Sequence, residues 1–397
     1  MEQYEISVVG GGPIGCHVAE QLASKGRQVV IFEEHHTIGE PLHCAGLVTQ
    51  RVLDIVRCSH DDIVQNTIFG AIIHSPDGSL LTISGDKVHA LVIDRQKFDD
   101  YIARKAKKSG AMILLNHTIL SAKKQRSFVT VDVQHDGQIT PVHCQLLIGA
   151  DGAHSRIRNN FSLPKPIEML HGFSAELADS TLDPKYVHIF VGNNIAPGFF
   201  AWVIPTNTQG TTARIGLCVK KQNARSLQQY FNTLLIQPLL QGSTVLKRFG
   251  GTIPLGPLKK TIADRLMLVG DAAAQVKPTS GGGLYPGLLC ATQCCDTAEH
   301  AFQQQRFDEK FLQAYQSAWS KEIGRELSLG MRFRRIFTHL TDSQFDKYLK
   351  KLNAQKILDT INTYGDIDYP SRLAFPLLRA APSLLSLAPA LLKHKEH

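Results

Sequence analysis

Gly10, Gly12 and Gly15, within Gly10-Gly11-Gly12-Pro13-Ile14-Gly15, have the spacing that lets a backbone wrap a pyrophosphate. Gly10 permits a tight turn, Gly12 lets the backbone approach the phosphates, and Gly15 lets a following helix pack close on its strand. Glu33 and Glu34 stand about 20 residues further on, where a carboxylate accepts hydrogen bonds from a ribose. Two more acids follow glycine turns: Asp151 in Gly149-Ala150-Asp151-Gly152, and Asp271 directly after Gly270. Each has a plainer reading, Asp151 as a brace for its own turn and Asp271 as a helix N-cap. Gly281, Gly282 and Gly283 run into Leu284 and would let backbone N–H groups approach a planar ring, a flexible linker being the alternative. Cys44 is a lone thiol, and such a residue by itself reads as buried and inert.

The elements that must position these residues are visible in the apolar pattern. Ile6, Val8 and Val9 form one apolar run, Val18, Ala19, Leu22 and Ala23 recur at helical spacing, and residues 29–32 form a second run. That is strand, glycine turn, helix, strand, with the helix N-terminus offering free N–H groups and a positive dipole end to phosphate. A loop broken by Gly39, Pro41 and Gly46 follows, then an alternating region from Phe69 to Val92 around a Pro76-Asp77-Gly78 turn. Residues 92–110 read as a helix entered near Asp94, with Phe98, Tyr101, Ile102 and Ala106 on one face and Lys105, Lys107 and Lys108 on a solvated one. Strands are expected at 128–133 and 142–148, then an antiparallel sheet to about Pro257 with one helix near 226–235. A buried strand at 266–269 and a helix-rich remainder complete the chain. The ligand-binding pieces near 10–34, 94, 151 and 270–283 must converge to serve one ligand.

At 397 residues, 43% hydrophobic and 20% charged, the chain has material for a large folded core, which excludes wholesale disorder. The net charge of +8 reads most simply as a solvated basic surface, with anionic lipid or an anionic substrate as sharper readings. No nucleic-acid motif accompanies it, so no nucleic-acid partner is expected. Cysteines 16, 44, 58, 144, 218, 290, 294 and 295 lack paired metal-ligand spacing, and the seventeen histidines form no HExxH. No metal is expected, and Cys290, Cys294 and Cys295 read as small core residues. No charged, apolar leader precedes the first strand, so export is not expected.

Taken together, the N-terminal glycine motif, the GADG at 149–152 and the VGDAA at 269–273 resemble the FAD-binding framework shared by flavin aromatic hydroxylases and geranylgeranyl reductases. Four further stretches resemble the reductases: IGEPLHCAGL at 38–47, PGFFAWVIP at 197–205, VKPTSGGGL at 276–284 and AWSKEIGRELSLGMRFRRIF at 318–337. The resemblance implies an α/β fold: a Rossmann-type FAD-binding domain (1–70, 93–160 and 262–320) interleaved with an antiparallel-sheet substrate domain (71–92 and 161–261), then a C-terminal helical region (321–397). It implies that Gly10, Gly12, Pro13, Ile14, Gly15, Glu33 and Glu34 hold the adenosine and pyrophosphate of FAD, and that Arg95 and Asp151 reach the cofactor. Gly270 and Asp271 would bind its ribityl or pyrophosphate portion, and Gly281, Gly282, Gly283 and Leu284 would lie beside the isoalloxazine ring. Cys44, Ala45 and Gly46 would face the reaction cavity, although His43-Cys44-Ala45-Gly46 replaces the more usual Arg-Cys-Gly run.

A reductase of this kind would saturate prenyl double bonds by hydride from the reduced flavin, and Cys44 or a nearby water is the candidate proton donor. Phe199, Phe200 and Trp202 would line an apolar tunnel and shield developing positive charge, which makes Cys44 and Trp202 the candidate catalytic residues. Core packing is the alternative for these aromatics. The substrate expected is a prenyl lipid, with NADPH or a ferredoxin as electron donor. Residues 373–392 are apolar but broken by Pro376, Pro382 and Pro389, which disfavours a membrane span and leaves a helical hairpin over the tunnel or an interfacial segment edged by Lys393 and Lys395. A cytoplasmic protein in peripheral contact with the inner face of the membrane is expected. A flavin monooxygenase and a non-catalytic prenyl-lipid carrier remain as other readings.

Overall fold

The computed structural model describes residues 2–42, 44–59, 62–85, 87–220 and 225–382. His43 and the end of the apolar C-terminal stretch, including Pro389, Lys393 and Lys395, lie outside the described residues.

The chain opens with β1 (Gln3–Val9), α1 (Pro13–Ser24) and β2 (Val29–Phe32), the expected strand, glycine turn, helix and strand. Short elements follow: β3 (Leu47–Val48), α2 (Gln50–Val56), β4 (Val64–Ile68), β5 (Gly70–His74), β6 (Leu80–Ser84) and β7 (Ala90–Ile93). The helix expected after residue 92 is α3 (Arg95–Lys108), whose N-cap Asp94 accepts from Lys97 N–H. Next come β8 (Met112–Leu114), β9 (Thr118–Lys124), β10 (Val129–His135), β11 (Gln138–Gly149) and α4 (Arg156–Asn160). Then follow β12 (Glu168–Ala178), β13 (Tyr186–Val191), β14 (Phe200–Pro205), β15 (Ala213–Lys220) and α5 (Leu227–Leu235), the last closed by a Ser226/Gln229 capping box. After β16 (Thr244–Leu255), β17 (Ile262–Ala263) and β18 (Leu266–Leu268), six helices finish the description. They are α6 (Leu284–Gln304), α7 (Glu309–Trp319), α8 (Arg325–Thr338), α9 (Asp342–Leu352), α10 (Gln355–Tyr364) and α11 (Ser371–Ala380).

Three sheets organise them. In the first, parallel β18, β11, β1, β2 and β8 lie side by side, with β17 at one edge and the β9–β10 hairpin folded onto β11. Val8, Ile31, Ile148 and Met267 from this sheet are fully buried under α1, α3 and α6, as a parallel sheet covered by helices requires. The order matters because it sets the carboxyl ends of β18, β11, β1 and β2 next to one another, where open α/β sheets bind ligands. The second sheet runs β16-β12-β15-β14-β13-β5-β6 and is antiparallel except for the β13–β5 pair. That parallel pair is a departure from the all-antiparallel reading, because β5 is contributed from far upstream in the chain. The third, β3-β7-β4, joins the other two, so β7 lies outside the sheet containing β5 and β6.

Cys290, Cys294 and Cys295 are completely buried in the helix–sheet core, as their small apolar surroundings suggested. Lys105 differs from expectation. Its ammonium donates to Val56 C=O at 2.8 Å and lies 3.6 Å from Glu20, so it tethers α2 and α1 rather than facing water.

Candidate active site

Each distant turn is held against the next by contacts that only glycine allows. A Cβ on Gly10, whose φ is +100°, would stand 2.4 Å from Ala150 C=O, and one on Gly15 would stand 2.0 Å from Gly10 C=O. The first turn of α1 therefore sits directly on the Gly149–Gly152 turn at the end of β11. On the other side, Ile14 packs against Gly270 and Gly287. Gly12 is different: nothing lies within 4 Å of where its Cβ would be, and α1 has no side-chain cap. Its open N-terminus, with Pro13 in the first turn, is free to take an anion.

Glu33 is buried at the end of β2 and accepts from Gly11 N–H at 2.6 Å and from His35 N–H at 2.9 Å. His35 Nδ1 lies 2.6 Å from the same Oε1, so Glu33 braces the glycine turn and keeps a lone pair on Oε2 for a sugar hydroxyl. Glu34 is exposed.

The two glycine–acid turns have different fates. Asp151 accepts from Ser155 Oγ at 2.6 Å and from Ile157 N–H at 3.0 Å, so its carboxylate caps α4. Burial raises its pKa and these bonds pull it back. The bracing reading is the one its geometry supports, because both oxygens are occupied locally; the open space beside this turn lies at Gly152. Arg158, a residue the sequence reading missed, donates to Ala153 C=O and to Ala272 C=O, each at 3.0 Å, and ties the two turns together.

Asp271 lies in a short 3₁₀ turn and caps no helix. Its carboxylate has no hydrogen bond among the described residues, and a Cβ on Gly283 would come within 2.7 Å of Oδ1, placing it at the entrance of α6. Burial pushes its pKa from 3.8 up to about 6, with Arg95 nearby pulling the other way. Arg95, at the start of α3, donates to Asp99 through Nε at 3.1 Å and through its terminal nitrogen at 3.0 Å. Burial works against its charge, yet Asp99 and the hydrogen-bonded Cys44 thiol hold it well above its ordinary pKa. Cys44 Sγ also accepts from Gly46 N–H at 3.4 Å.

The loop after β18 closes on itself: Lys277 N–H donates to Gly282 C=O and Gly281 N–H to Lys277 C=O. It is thus a built loop, not a flexible linker. A Cβ on Gly281 would stand 3.4 Å from the Phe199 ring, so this loop meets the aromatic row leading into β14. Phe199 is 2% exposed, stacked on Phe200 at 4.2 Å, and covered by the Arg334 guanidinium at 5.3 Å. It supports the wall rather than lining a tunnel, because it seals the gap between the loop and α8. Phe200 and Trp202 are half-buried, and the Trp202 indole N–H is buried without a partner among the described residues.

Arg214, another residue unread in the sequence, joins the second sheet to the cysteine loop. It is buried and donates to Ala45 C=O at 3.2 Å, Ile93 C=O at 2.8 Å and Gln65 at 2.8 Å, with Glu176 at 3.3 Å. A lone arginine among the apolar residues of β15 was the available signal, since a charge in a buried strand must be paired.

An uncapped helix N-terminus over open space, a buried ribose-side acid and a carboxylate without a hydrogen bond among the described residues, on the turn packed against Ile14, fit a dinucleotide. The buried, unpartnered Ser280 Oγ in the glycine loop adds a further free polar atom. The sequence profile of the family described as FAD binding domain matches residues 3–288. The chain belongs to this family. It is a flavin-dependent oxidoreductase with FAD as its cofactor. It is 29% identical over 357 residues to a digeranylgeranylglycerophospholipid reductase of Methanocaldococcus jannaschii, covering 88% of this chain and 90% of that one. A second M. jannaschii protein, named only as uncharacterized, is 30% identical over 380 residues, 95% of either chain. Among solved structures, a geranylgeranyl bacteriochlorophyll reductase-like protein from Thermoplasma acidophilum superposes with a TM-score of 0.89 at 22% identity, covering 98% of this chain and all of that one. The fold class and the likeness to geranylgeranyl reductases read from the motifs are thereby borne out.

Proposed function

We propose that this oxidoreductase saturates carbon–carbon double bonds of geranylgeranyl chains carried on a lipid. The observation carrying this reading is the junction of the glycine loop with the aromatic row. An apolar row of Phe200 and Trp202 is backed by Phe199, which meets Gly281, and the loop carrying Cys44 beside Arg95 packs through Ala45 and Leu47 in the same cluster as Trp202. The names of the reductase relatives support the same substrate class.

Bound FAD, once reduced, supplies the hydride equivalent. Gly12 at the open N-terminus of α1 would hold its pyrophosphate, with Gly10 and Gly15 keeping that turn in place, Glu33 would hold its ribose, Asp271 would accept from a hydroxyl, and the loop ending at Leu284 would border the ring. The remaining work falls to side chains at the prenyl chain. Cys44, kept in place by Gly46 N–H and Arg95, delivers a proton to the second carbon, directly or through water. Phe200 and Trp202 exclude water and face the developing positive charge, an attraction of roughly 0.5 to 2 kcal/mol. Electrons reach the flavin from NADPH or a reduced ferredoxin.

Contact with a cytoplasmic membrane face completes the proposal, since the substrate resides in lipid. Phe375 on α11 is 75% exposed and Leu378 lies beside it on the same open surface. Among the described residues no helix is long and apolar enough to cross a membrane, which suits an interfacial role for α11.

Anaerobic incubation of the reduced protein with a geranylgeranyl lipid tests the reading. Flavin reoxidation with a mass gain of one hydrogen molecule per double bond is expected. Oxygen-dependent hydroxylation would indicate a monooxygenase, and absence of any reoxidation a carrier. Cys44→Ser should keep its FAD and lose turnover; full turnover would remove Cys44 as proton donor.

A further inference from the structure

Between α10 and α11 the chain makes a short strap, residues 365–370, that is fastened into the body of the protein by charge. Asp366 takes a two-pronged contact from Arg51, at 2.8 and 2.9 Å, and a third from Arg372 at 3.0 Å. Asp368 is 1% exposed and accepts from Lys277 Nζ at 2.7 Å, Thr49 Oγ1 at 2.6 Å and Arg51 at 3.0 Å. Lys277 is 7% exposed and donates a further bond to Ile367 C=O. Tyr369 meets Tyr285 of α6, hydroxyl to hydroxyl, at 2.8 Å, and Ser371 donates its N–H to Glu326 of α8 at 2.9 Å.

The two elements joined at Asp368 both belong to the site. Lys277 opens the loop that closes onto Gly282 and ends at Gly283. Thr49 and Arg51 stand at the start of α2, just beyond the loop that carries Cys44. A buried ion pair contributes little net stability, because desolvating both charges offsets their attraction. What such a pair can supply is fixed geometry: a carboxylate with three donors is held in one position, and the donors are held to it.

We propose that Asp368 is a positioning residue of the FAD site, holding the glycine loop through Lys277 and the cysteine loop through Thr49 and Arg51. The C-terminal strap is then part of the cofactor site through these bonds. A deletion that removes Asp368 would leave the Lys277 ammonium buried and unpaired, so its effects on lipid contact and on FAD binding would be confounded.

The test reads FAD binding, so it stands apart from the identity of the substrate. Apoprotein carrying Asp368→Asn, Asp368→Glu or Thr49→Val is titrated with FAD, followed by flavin fluorescence. Amide hydrogen exchange is measured across the chain, with the thermal midpoint of each apoprotein alongside. Asp368→Asn should weaken FAD binding roughly tenfold or more, as loss of a charged hydrogen-bond partner implies. Exchange should rise at 277–283 and 44–49 above the rest of the chain, and Asp368→Glu should recover part of the affinity. FAD binding by Asp368→Asn within about twofold of the parent, or faster exchange spread evenly over the protein, would overturn the proposal. Should Asp368→Asn fail to fold, Thr49→Val decides, since it removes a single hydrogen bond. About threefold weaker FAD binding with faster exchange at 44–49 supports the proposal, and parental values refute it.

Discussion

Replacing Asp271 by asparagine should make the apoprotein more stable and a poorer binder of FAD. The carboxylate is half-buried, accepts no hydrogen bond among the described residues, and has its pKa pushed from 3.8 up to about 6 by desolvation, against the pull of Arg95. An acid with a raised folded pKa holds a proton in the native state that the unfolded chain has released. Its stabilising contribution is therefore full below pH 3.8 and is lost as pH climbs through about 6. A displacement of that size corresponds to at most about 3 kcal/mol at pH 7. An asparagine side chain there would have the same shape without the charge, so the Asp271→Asn variant should gain up to about 3 kcal/mol at pH 7, or about 2 to 4 °C in thermal midpoint, and gain nothing near pH 4. FAD binding should move the other way by about 10- to 100-fold, since the hydroxyl loses a charged acceptor. Urea unfolding of parent and variant apoproteins from pH 4 to 7, with FAD titrations at pH 7, reads both effects. A variant less stable than the parent at pH 7, or a stability gap that does not change with pH, would show that Asp271 is a partnered structural carboxylate and sink the reasoning.

The glycines of the first turn should separate into two kinds. Gly12→Ala adds a methyl to open space at a φ of −67°, so apoprotein stability should hold within about 0.5 kcal/mol while FAD binding falls severely; a calorimetric scan and a titration check both. Gly15→Ala puts its methyl 2.0 Å from Gly10 C=O and should cost more than about 3 kcal/mol, seen as little folded protein even without FAD. Arg214→Met should destabilise by about 3 to 5 kcal/mol in urea, because Glu176 and the carbonyls of Ala45 and Ile93 lose a buried partner; local exchange should rise first at 44–46. Truncation after Arg372 keeps Asp368 and the strap but removes Phe375 and Leu378, so vesicle binding should fall with FAD content unchanged; equal sedimentation with anionic vesicles would exclude α11 as the contact.

Local pattern carried those parts of this fold that are built from neighbouring residues. The strand–glycine–helix–strand unit, the helix α3 entered near Asp94 and the helix α5 were legible because each depends on residues within a few positions of one another. Contacts between segments were not. Lys105 looked solvated because nothing in a helical wheel shows Val56 C=O waiting above it. Arg214 showed locally only that a charge in an apolar strand needs a partner, and Asp368 showed nothing, since the partners lie in other elements: Arg214 reaches Ala45, and Asp368 reaches Lys277.

Asp151 and Asp271 show where the boundary falls even within the site. Each follows a parallel strand and a glycine, and the two strands, β11 and β18, are neighbours in one sheet. What separates them is whether the residues just downstream claim the carboxylate. After Asp151 the chain turns into α4, and Ser155 Oγ and Ile157 N–H fill the acceptor positions. After Asp271 come Ala272, Ala273 and Ala274, which have no side-chain donors, and the next helix begins only at Leu284. The absence of serine or threonine after the second acid was readable in advance, and it leaves that carboxylate for a ligand. An acid in a glycine turn is thus assigned to cofactor or to fold by its downstream donors, and Ala273→Ser tests the rule directly. If the new hydroxyl bonds Asp271, its raised pKa should fall and FAD binding weaken; if pKa and affinity both stay put, the distinction between the two turns has some other cause.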